Sequence, residues 1–160
     1  MGATLNRGGS KQDYQTPPEF IAATCKRLGI TTFTWDLAAD DTNKQAPFFY
    51  SEEQNSLIQD WDSCGGWLWL NPPYNNITPW VAKAAATRES YIAMLVPASV
   101  GANWWADHVD GRAHVLLLNG RLTFVGAKDP YPKDCALLLY TPFILSHGGY
   151  EVWNWKPKST

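Results

Sequence analysis

The chain has 160 residues, 45% hydrophobic and 18% charged, a size and balance that suit one domain around one core and exclude a disordered chain. Its formal net charge of −2 argues against a protein that coats nucleic acid, though not against an enzyme carrying a local basic patch. No apolar run approaches the ~20 residues of a membrane span, and the polar, Gly-rich start lacks the apolar stretch of a signal peptide.

Residues 1–12 read as a flexible tail with some basic character from Arg7 and Lys11. Thr16 reads as a helix N-cap, with Pro17 at the first helical position and Glu19 closing a capping box. The helix runs through Phe20, Ala23 and Leu28 until Gly29 ends it. Residues 31–35, β-branched and aromatic, predict a strand. It leads into Asp36-Leu37-Ala38-Ala39, where an acidic residue followed by small ones lets a cationic or hydroxyl-bearing ligand come close to the backbone. A second short strand is expected over 46–50. Ser51-Glu52-Glu53-Gln54 resembles another capping box, opening a short helix through Leu57 and Ile58 to Trp61.

The stretch that organises the chain is Trp67-Leu68-Trp69-Leu70-Asn71-Pro72-Pro73-Tyr74. Four apolar residues read as a buried strand. Two prolines stop it, because neither has an N–H to give to a ladder. Each residue before a proline is pushed towards extended backbone, so a stiff loop stands at the C-terminal end of a strand, where open α/β sheets bind ligands. The loop is rich in acceptors: the Pro72 and Pro73 carbonyls and the Asn71 side-chain oxygen. Tyr74 adds a flat ring. A planar group with an NH2 at its edge fits this chemistry, whether a nucleobase amine or a side-chain amide.

After the loop, Thr78 and Pro79 start a helix carrying Trp80 and Val81. Residues 91–96 read as a buried strand, 102–109 as a helix, 113–118 and 136–140 as further buried strands, and 150–155 as an edge strand. Strands alternating with helices predict an α/β sheet with helices on both faces and an antiparallel edge. The long connections 97–101 and 119–134 are candidate functional loops. Arg112, Arg121, Lys128 and Lys133 lie in or near them and are candidate phosphate contacts. Trp104 and Trp105 are neighbours on one helix, so they point apart, and since aromatic side chains stack on exposed bases both are candidate nucleic-acid contacts. Cys25, Cys64 and Cys135 are odd in number and widely spaced, and His108, His114 and His147 are scattered. These read as reduced thiols in a cytoplasmic protein with no metal site.

Asp13-x-x-Thr16-Pro17, Asp36-Leu37-Ala38-Ala39, Leu57-x-x-Asp60-Trp61, and Asn71-Pro72-Pro73-Tyr74 followed by Trp80 together resemble the phage and prophage DNA N6-adenine methyltransferases of Dam type. Leu95-Val96-Pro97 and Gly120-Arg121-Leu122-Thr123-Phe124 match the same pattern. The resemblance spans Asp13 to about Pro142. It implies a class I, Rossmann-like methyltransferase fold over 13–155, with tails 1–12 and 156–160. It further implies S-adenosylmethionine as cofactor, double-stranded DNA as partner, and flipping of the target adenine, with no membrane or metal partner and a bacterial host cytoplasm as location. Carried over, Asn71, Pro72, Pro73 and Tyr74 form the catalytic loop. Thr16, Pro17, Asp36, Ala38, Ala39 and Asn71 meet the cofactor. Two departures stand out: Leu37-Ala38-Ala39 replaces a Gly-rich turn, and Asn71 stands where many relatives carry Asp. The same loop also suits a methyltransferase acting on a protein glutamine amide or RNA adenine, and the fold alone suits a non-catalytic DNA-binding module.

Overall fold

A computed structural model describes residues 14–143 and 149–156. The expectations for 1–12, Asp13, His147 and 157–160 lie outside the described residues. Among the described residues, seven strands form one mixed sheet: β1 (Trp35–Asp36), β2 (Phe48–Phe49), β3 (Trp67–Leu70), β4 (Tyr91–Pro97), β5 (His114–Asn119), β6 (Cys135–Tyr140) and β7 (Tyr150–Asn154), in the order β2-β1-β3-β4-β6-β5-β7. The pairs β1–β2, β1–β3 and β3–β4 are parallel. Strand β6 runs antiparallel to both β4 and β5.

The expected antiparallel edge is therefore displaced inwards. The antiparallel strand is β6, with β5 and β7 beyond it, and the outermost pair, β5–β7, is parallel. Strand β7 pairs with β5 on the side away from β6.

Alternation along each strand sends side chains to two cores. Leu68, Leu70, Ile92, Met94, Val96, Ala136 and Leu138 face one side, where helices α2 (Thr78–Ala86) and α3 (Asn103–His108) bring Val81, Ala84 and Trp105. Trp69, Ala93, Leu95, Leu116 and Leu137 face the other, where helix α1 (Pro18–Leu28) brings Phe20 and Cys25. Helices thus cover both faces, as the period-2 runs imply.

Three local expectations change. Helix α1 is entered through Pro17 in extended backbone with no side-chain cap; the Thr16 hydroxyl instead accepts a hydrogen bond from Asn71 Nδ2 at 3.2 Å. The strand expected over 31–35 shortens to Trp35–Asp36. Before it, Thr34 makes a backbone bond to the neighbouring segment, its N–H donating to Trp67 O at 3.0 Å, and its hydroxyl donates to Gly65 O at 2.6 Å. Gly66 faces this side chain at φ +70°, and a Cβ there would lie 2.5 Å from Thr34 Cγ2, so only glycine fits. The helix expected from Ser51 to Trp61 is three 3₁₀ turns, Glu52–Gln54, Ser56–Ile58 and Trp61–Ser63. The left-handed Asn55, φ 53°, separates the first two.

Asp62 in the last of these turns fastens the entry to β4. Its carboxylate accepts from the backbone N–H groups of Arg88 and Glu89 and from the Ser90 hydroxyl. Burial pushes the carboxyl up, but these donors outweigh it and hold it below its ordinary value. A depressed acid stabilises the fold above its unfolded pKa and loses that contribution as pH falls through the folded one. Asp62→Ala should lower unfolding stability at pH 7 by about 1–3 kcal/mol, the range for hydrogen bonds to a charged group. The difference should shrink below pH 4, as read from urea midpoints. A constant difference from pH 7 to pH 3 would assign the loss to packing.

Candidate active site

From β1 the chain turns outward to β2, then crosses back to β3 on the other side of β1. That reversal makes a crevice beyond the C-terminal ends of β1 and β3, the place where open parallel sheets hold ligands. Asp36 ends β1 opposite Trp69 of β3, and Asn71 leaves β3 two residues later. The strand boundary at Leu70 is the one that the proline pair dictates.

Asn71 is held by the segment before α1. Its Nδ2 donates to Tyr14 O at 2.7 Å and to Thr16 Oγ1 at 3.2 Å. A carbonyl can only accept, so this contact fixes which end of the amide is nitrogen. The other end, Asn71 Oδ1, is buried and has no hydrogen-bond partner. A buried acceptor left unsatisfied costs about 1–3 kcal/mol, a deficit that a donor arriving on a ligand would remove.

Asp36 is 2% exposed. The backbone N–H of Ala38 donates to its Oδ1 at 3.2 Å and that of Gln45 to its Oδ2 at 2.9 Å. Burial pushes its carboxyl up to about 7; the Gln45 and Ala38 N–H groups pull back only part of the way, and Asp40 adds a further push upward. The carboxyl therefore shapes the 36–45 loop and stands near the midpoint of its ionisation at neutral pH. Each oxygen keeps a lone pair for a ligand.

Two clefts meet at this turn. A pocket of about 20 Å³ is lined by Tyr14, Thr16, Asp36, Gln45 and Asn71 among others. A cleft of about 160 Å³ runs beside it between Leu37, Tyr50, Pro73 and Trp80, with Ser51 and Glu52 at its polar end. Ala38 lines both, and its small side chain leaves the backbone open to a ligand spanning them. Pro17 and Ala39 are buried, Pro17 as the cap of α1 and Ala39 through its N–H to Tyr50 O. Pro72 is buried and Pro73 half-buried.

The Tyr74 hydroxyl donates to Leu95 O at 3.3 Å, and burial raises it well above its ordinary range. Its ring stacks on Tyr14, with centroids 5.4 Å apart and planes 25° apart. Phe124 and Tyr131 complete the cluster edge-on at 6.4 and 5.8 Å. The segment 120–134 that carries them leaves the C-terminal end of β5, on the same rim as Asn71.

The candidate DNA contacts divide. Lys128 and Lys133 are exposed on this segment, and Arg121 pairs with Asp134 at 3.1 Å. Arg112 precedes β5 and donates to Ala85 O at the end of α2, at the opposite end of the sheet. Trp105 is 3% exposed in the core beneath α3, its Nε1 donating to the Tyr150 hydroxyl. Trp104 is half-buried against the same core. The structure brings neither Arg112 nor Trp105 to the rim beside Asn71: the one lies at the opposite end of the sheet and the other is buried.

Tyr14, Gln45, Phe124, Tyr131 and Trp80 line the site without having been singled out for it from sequence. Trp80 and Phe124 carried a signal as members of the motifs quoted above, and Tyr14 as a residue inside the motif from Asp13 to Pro17; Gln45 and Tyr131 carried none. Among the described residues no group of three or more His, Cys, Asp or Glu could hold a metal, and no helix is long and apolar enough to cross a membrane.

The chain is similar to the DNA N-6-adenine-methyltransferase of Escherichia phage T1, 34% identical over 112 residues, which are 69% of this chain and 46% of that protein. It is also similar to the DNA N-6-adenine-methyltransferase of Haemophilus phage HP1, 26% identical over 151 residues, 89% of this chain and 86% of that protein. The family model described as DNA N-6-adenine-methyltransferase (Dam) matches residues 5–142, taking in the Asn71 loop, the Asp36 turn and the 120–134 segment. With most of its length inside that match, this chain belongs to the DNA N-6-adenine-methyltransferase (Dam) family.

Proposed function

We propose that the chain is a DNA methyltransferase that moves a methyl group from S-adenosylmethionine to the N6 amine of a flipped adenine in double-stranded DNA. A single catalytic unit over 13–155, of the class I, Rossmann-like type, carries the reaction. The observation behind this reading is the buried, partnerless Asn71 Oδ1 at the switch point of the sheet. It is supported by the family match and by the DNA N-6-adenine-methyltransferases of phages T1 and HP1.

The cleft of about 160 Å³ suits the adenosine end of the cofactor, and the pocket of about 20 Å³ at Asp36 must widen to take the rest. Tyr50, Pro73 and Trp80 offer flat apolar walls for a purine, and Ser51 and Glu52 offer partners for ribose hydroxyls. The Ala38 turn leads from there to Asp36, whose carboxylate suits a cationic ligand. S-adenosylmethionine held there would supply a methyl group on a positively charged sulfur; as N6 takes the methyl the methyl–sulfur bond would break, an uncharged thioether would leave, and one N6 proton would pass to water. An exocyclic adenine amine is a poor nucleophile because its lone pair is delocalised into the ring. Asn71 Oδ1 accepts one N6–H and the Pro72 carbonyl the other, which favours a more tetrahedral nitrogen with its lone pair free. Asn71 has no basic group, so it acts by position and by its dipole, the larger share of many catalytic effects. The target amine is out of reach inside a duplex, so the base leaves the stack.

The test is to incubate the purified chain with unmethylated plasmid and labelled S-adenosylmethionine and to sequence the modified bases. N6-methyladenine is the expected product. Label on a protein glutamine acceptor, with none in DNA, would replace this reading by the amide one. Exposed Lys128 and Lys133 on the same rim are the proposed phosphate contacts. Log affinity for DNA falls by about 0.9 per neutralised phosphate per log unit of salt. Replacing both lysines by alanine should therefore flatten the slope by about 2 and raise the DNA Michaelis constant, with cofactor affinity unchanged. A slope that does not move places the DNA elsewhere.

A further inference from the structure

We propose that Tyr14 is the second wall of the target-base slot: the adenine enters between the Tyr14 and Tyr74 rings and pushes Tyr14 towards the Phe124–Tyr131 cleft. This rests on the reading of the chain as a DNA adenine methyltransferase.

Tyr74 is the fixed wall. Its hydroxyl is tied to Leu95 O in the centre of the sheet, and its ring has Phe124 and Tyr131 at its edges. The Tyr14 ring lies over it at 5.4 Å with 25° between planes, so the aromatic surface a base would use is covered. Tyr14 also divides two spaces. It lines the pocket of about 20 Å³ where Asn71 and Asp36 meet, and the cleft of about 520 Å³ bounded by Phe124, Gly126 and Tyr131. The first has room for little more than a water molecule. The second has room for a displaced ring.

A base between two rings needs one stacking layer on each side, about 3.4 Å each by the rise of duplex DNA. The ring centres must then stand about 7 Å apart, so a small outward movement of one ring opens the slot. Tyr14 is the ring that moves. Tyr14 O accepts from Asn71 Nδ2 at 2.7 Å and the next carbonyl, Gln15 O, from Val125 N–H at 2.9 Å, so its backbone is held while its side chain turns. One residue thereby does two things: its carbonyl aims Asn71 Oδ1, and its ring keeps the slot shut until a base fills it. Entry exchanges the Tyr14–Tyr74 stack for two base–tyrosine contacts and rearranges the Tyr14 contacts with Phe124 and Tyr131, whose centroids lie 5.3 and 5.7 Å away. The stack accepts any base, and the Asn71 acceptor favours one with an amine at its edge.

Tyr14→Ala keeps the carbonyl and removes only the ring. Methyl transfer by the unaltered chain to unmethylated plasmid is measured first, and its absence sinks the parent reading rather than this one. With transfer present, Tyr14→Ala should lower kcat/KM for DNA by about 5- to 150-fold, the effect of losing one base–aromatic stack. Tyr14→Phe should stay within about twofold of wild type, since it keeps the stacking face. The cofactor dissociation constant should not change. A duplex bearing 2-aminopurine at the mapped adenine supplies a spectroscopic signature. Its bound fluorescence should be higher with Tyr14→Ala than with wild type, because one quenching ring is gone. Should the alanine variant fail to fold, Tyr14→Leu, which fills space without a π-face, takes its place with the same expectations. Equal fluorescence and equal kcat/KM in a folded variant would overturn the proposal.

Discussion

Asn71→Ala should cut turnover by two to three powers of ten, the loss found for removing one preorganised polar group from a transition-state site. The substitution deletes the acceptor that faces the site without a partner. It also releases Tyr14 O and Thr16 Oγ1 from the Asn71 amide. Thr16 is 2% exposed, so its hydroxyl loses a partner that water does not replace, while the cost of the partnerless Oδ1 disappears with the amide; the fold should lose about 1 kcal/mol net. The diagnostic pair of measurements is single-turnover rate and S-adenosylmethionine affinity by titration calorimetry. The rate should collapse while affinity holds within a few-fold. A parallel fall in both would move Asn71 out of the catalytic role and into the cofactor pocket.

Asp36→Asn should act in opposite directions on stability and on binding. Burial, helped by Asp40 and opposed by the Gln45 and Ala38 N–H groups, holds the Asp36 carboxyl at about 7 in the folded chain. Unfolded, it returns to its ordinary value near 4. Between these values the folded chain binds one proton more than the unfolded chain. The stabilising contribution is fully present below about pH 4 and is lost as pH rises through 7, on the order of 4 kcal/mol across the window. The asparagine variant cannot ionise. Its melting temperature should vary less between pH 5 and 8 and still exceed that of wild type at pH 8. The avoided charge burial outweighs the loss, about 1–3 kcal/mol, of the one backbone N–H, of Ala38 or Gln45, that the amide nitrogen cannot accept from.

Cofactor binding should show the reverse. A sulfonium favours the ionised carboxylate, so wild-type affinity should rise from pH 5 to about 7 with release of a proton. At pH 8 the asparagine variant should bind about 10- to 100-fold more weakly, the value of a hydrogen bond to a charged group, with its affinity flat in pH. A stabilised variant that binds as tightly as wild type at pH 8 would confine Asp36 to holding its own loop.

Much of the scaffold was legible from sequence because its rules are local. Residues 67–70 are a strand between Gly66 and Asn71 since an apolar run must be buried and a proline cannot continue a ladder. The near-continuous apolar runs at 91–96 and 136–140 foretold strands covered on both faces, and Gly29 ends α1 in the left-handed conformation expected of it. The family was legible too, through the order of short motifs, and the match over residues 5–142 confirms it.

What the sequence did not disclose depends on partners far along the chain. A capping-box pattern named Thr16 a cap, but Asn71, 55 residues away, engages its hydroxyl. Trp104 and Trp105 are equivalent as letters, yet only Trp105 reaches Tyr150 beneath α3. Arg112 and Lys128 are both cations beside loops, and the direction of β5 puts them at opposite ends of the sheet. Sequence alone determined that an acceptor-rich loop follows β3. Tertiary structure decided which way that loop's amide points, because a side chain's orientation is set by whichever donors and acceptors the fold brings within about 3 Å of it, and for Asn71 those are Tyr14 and Thr16.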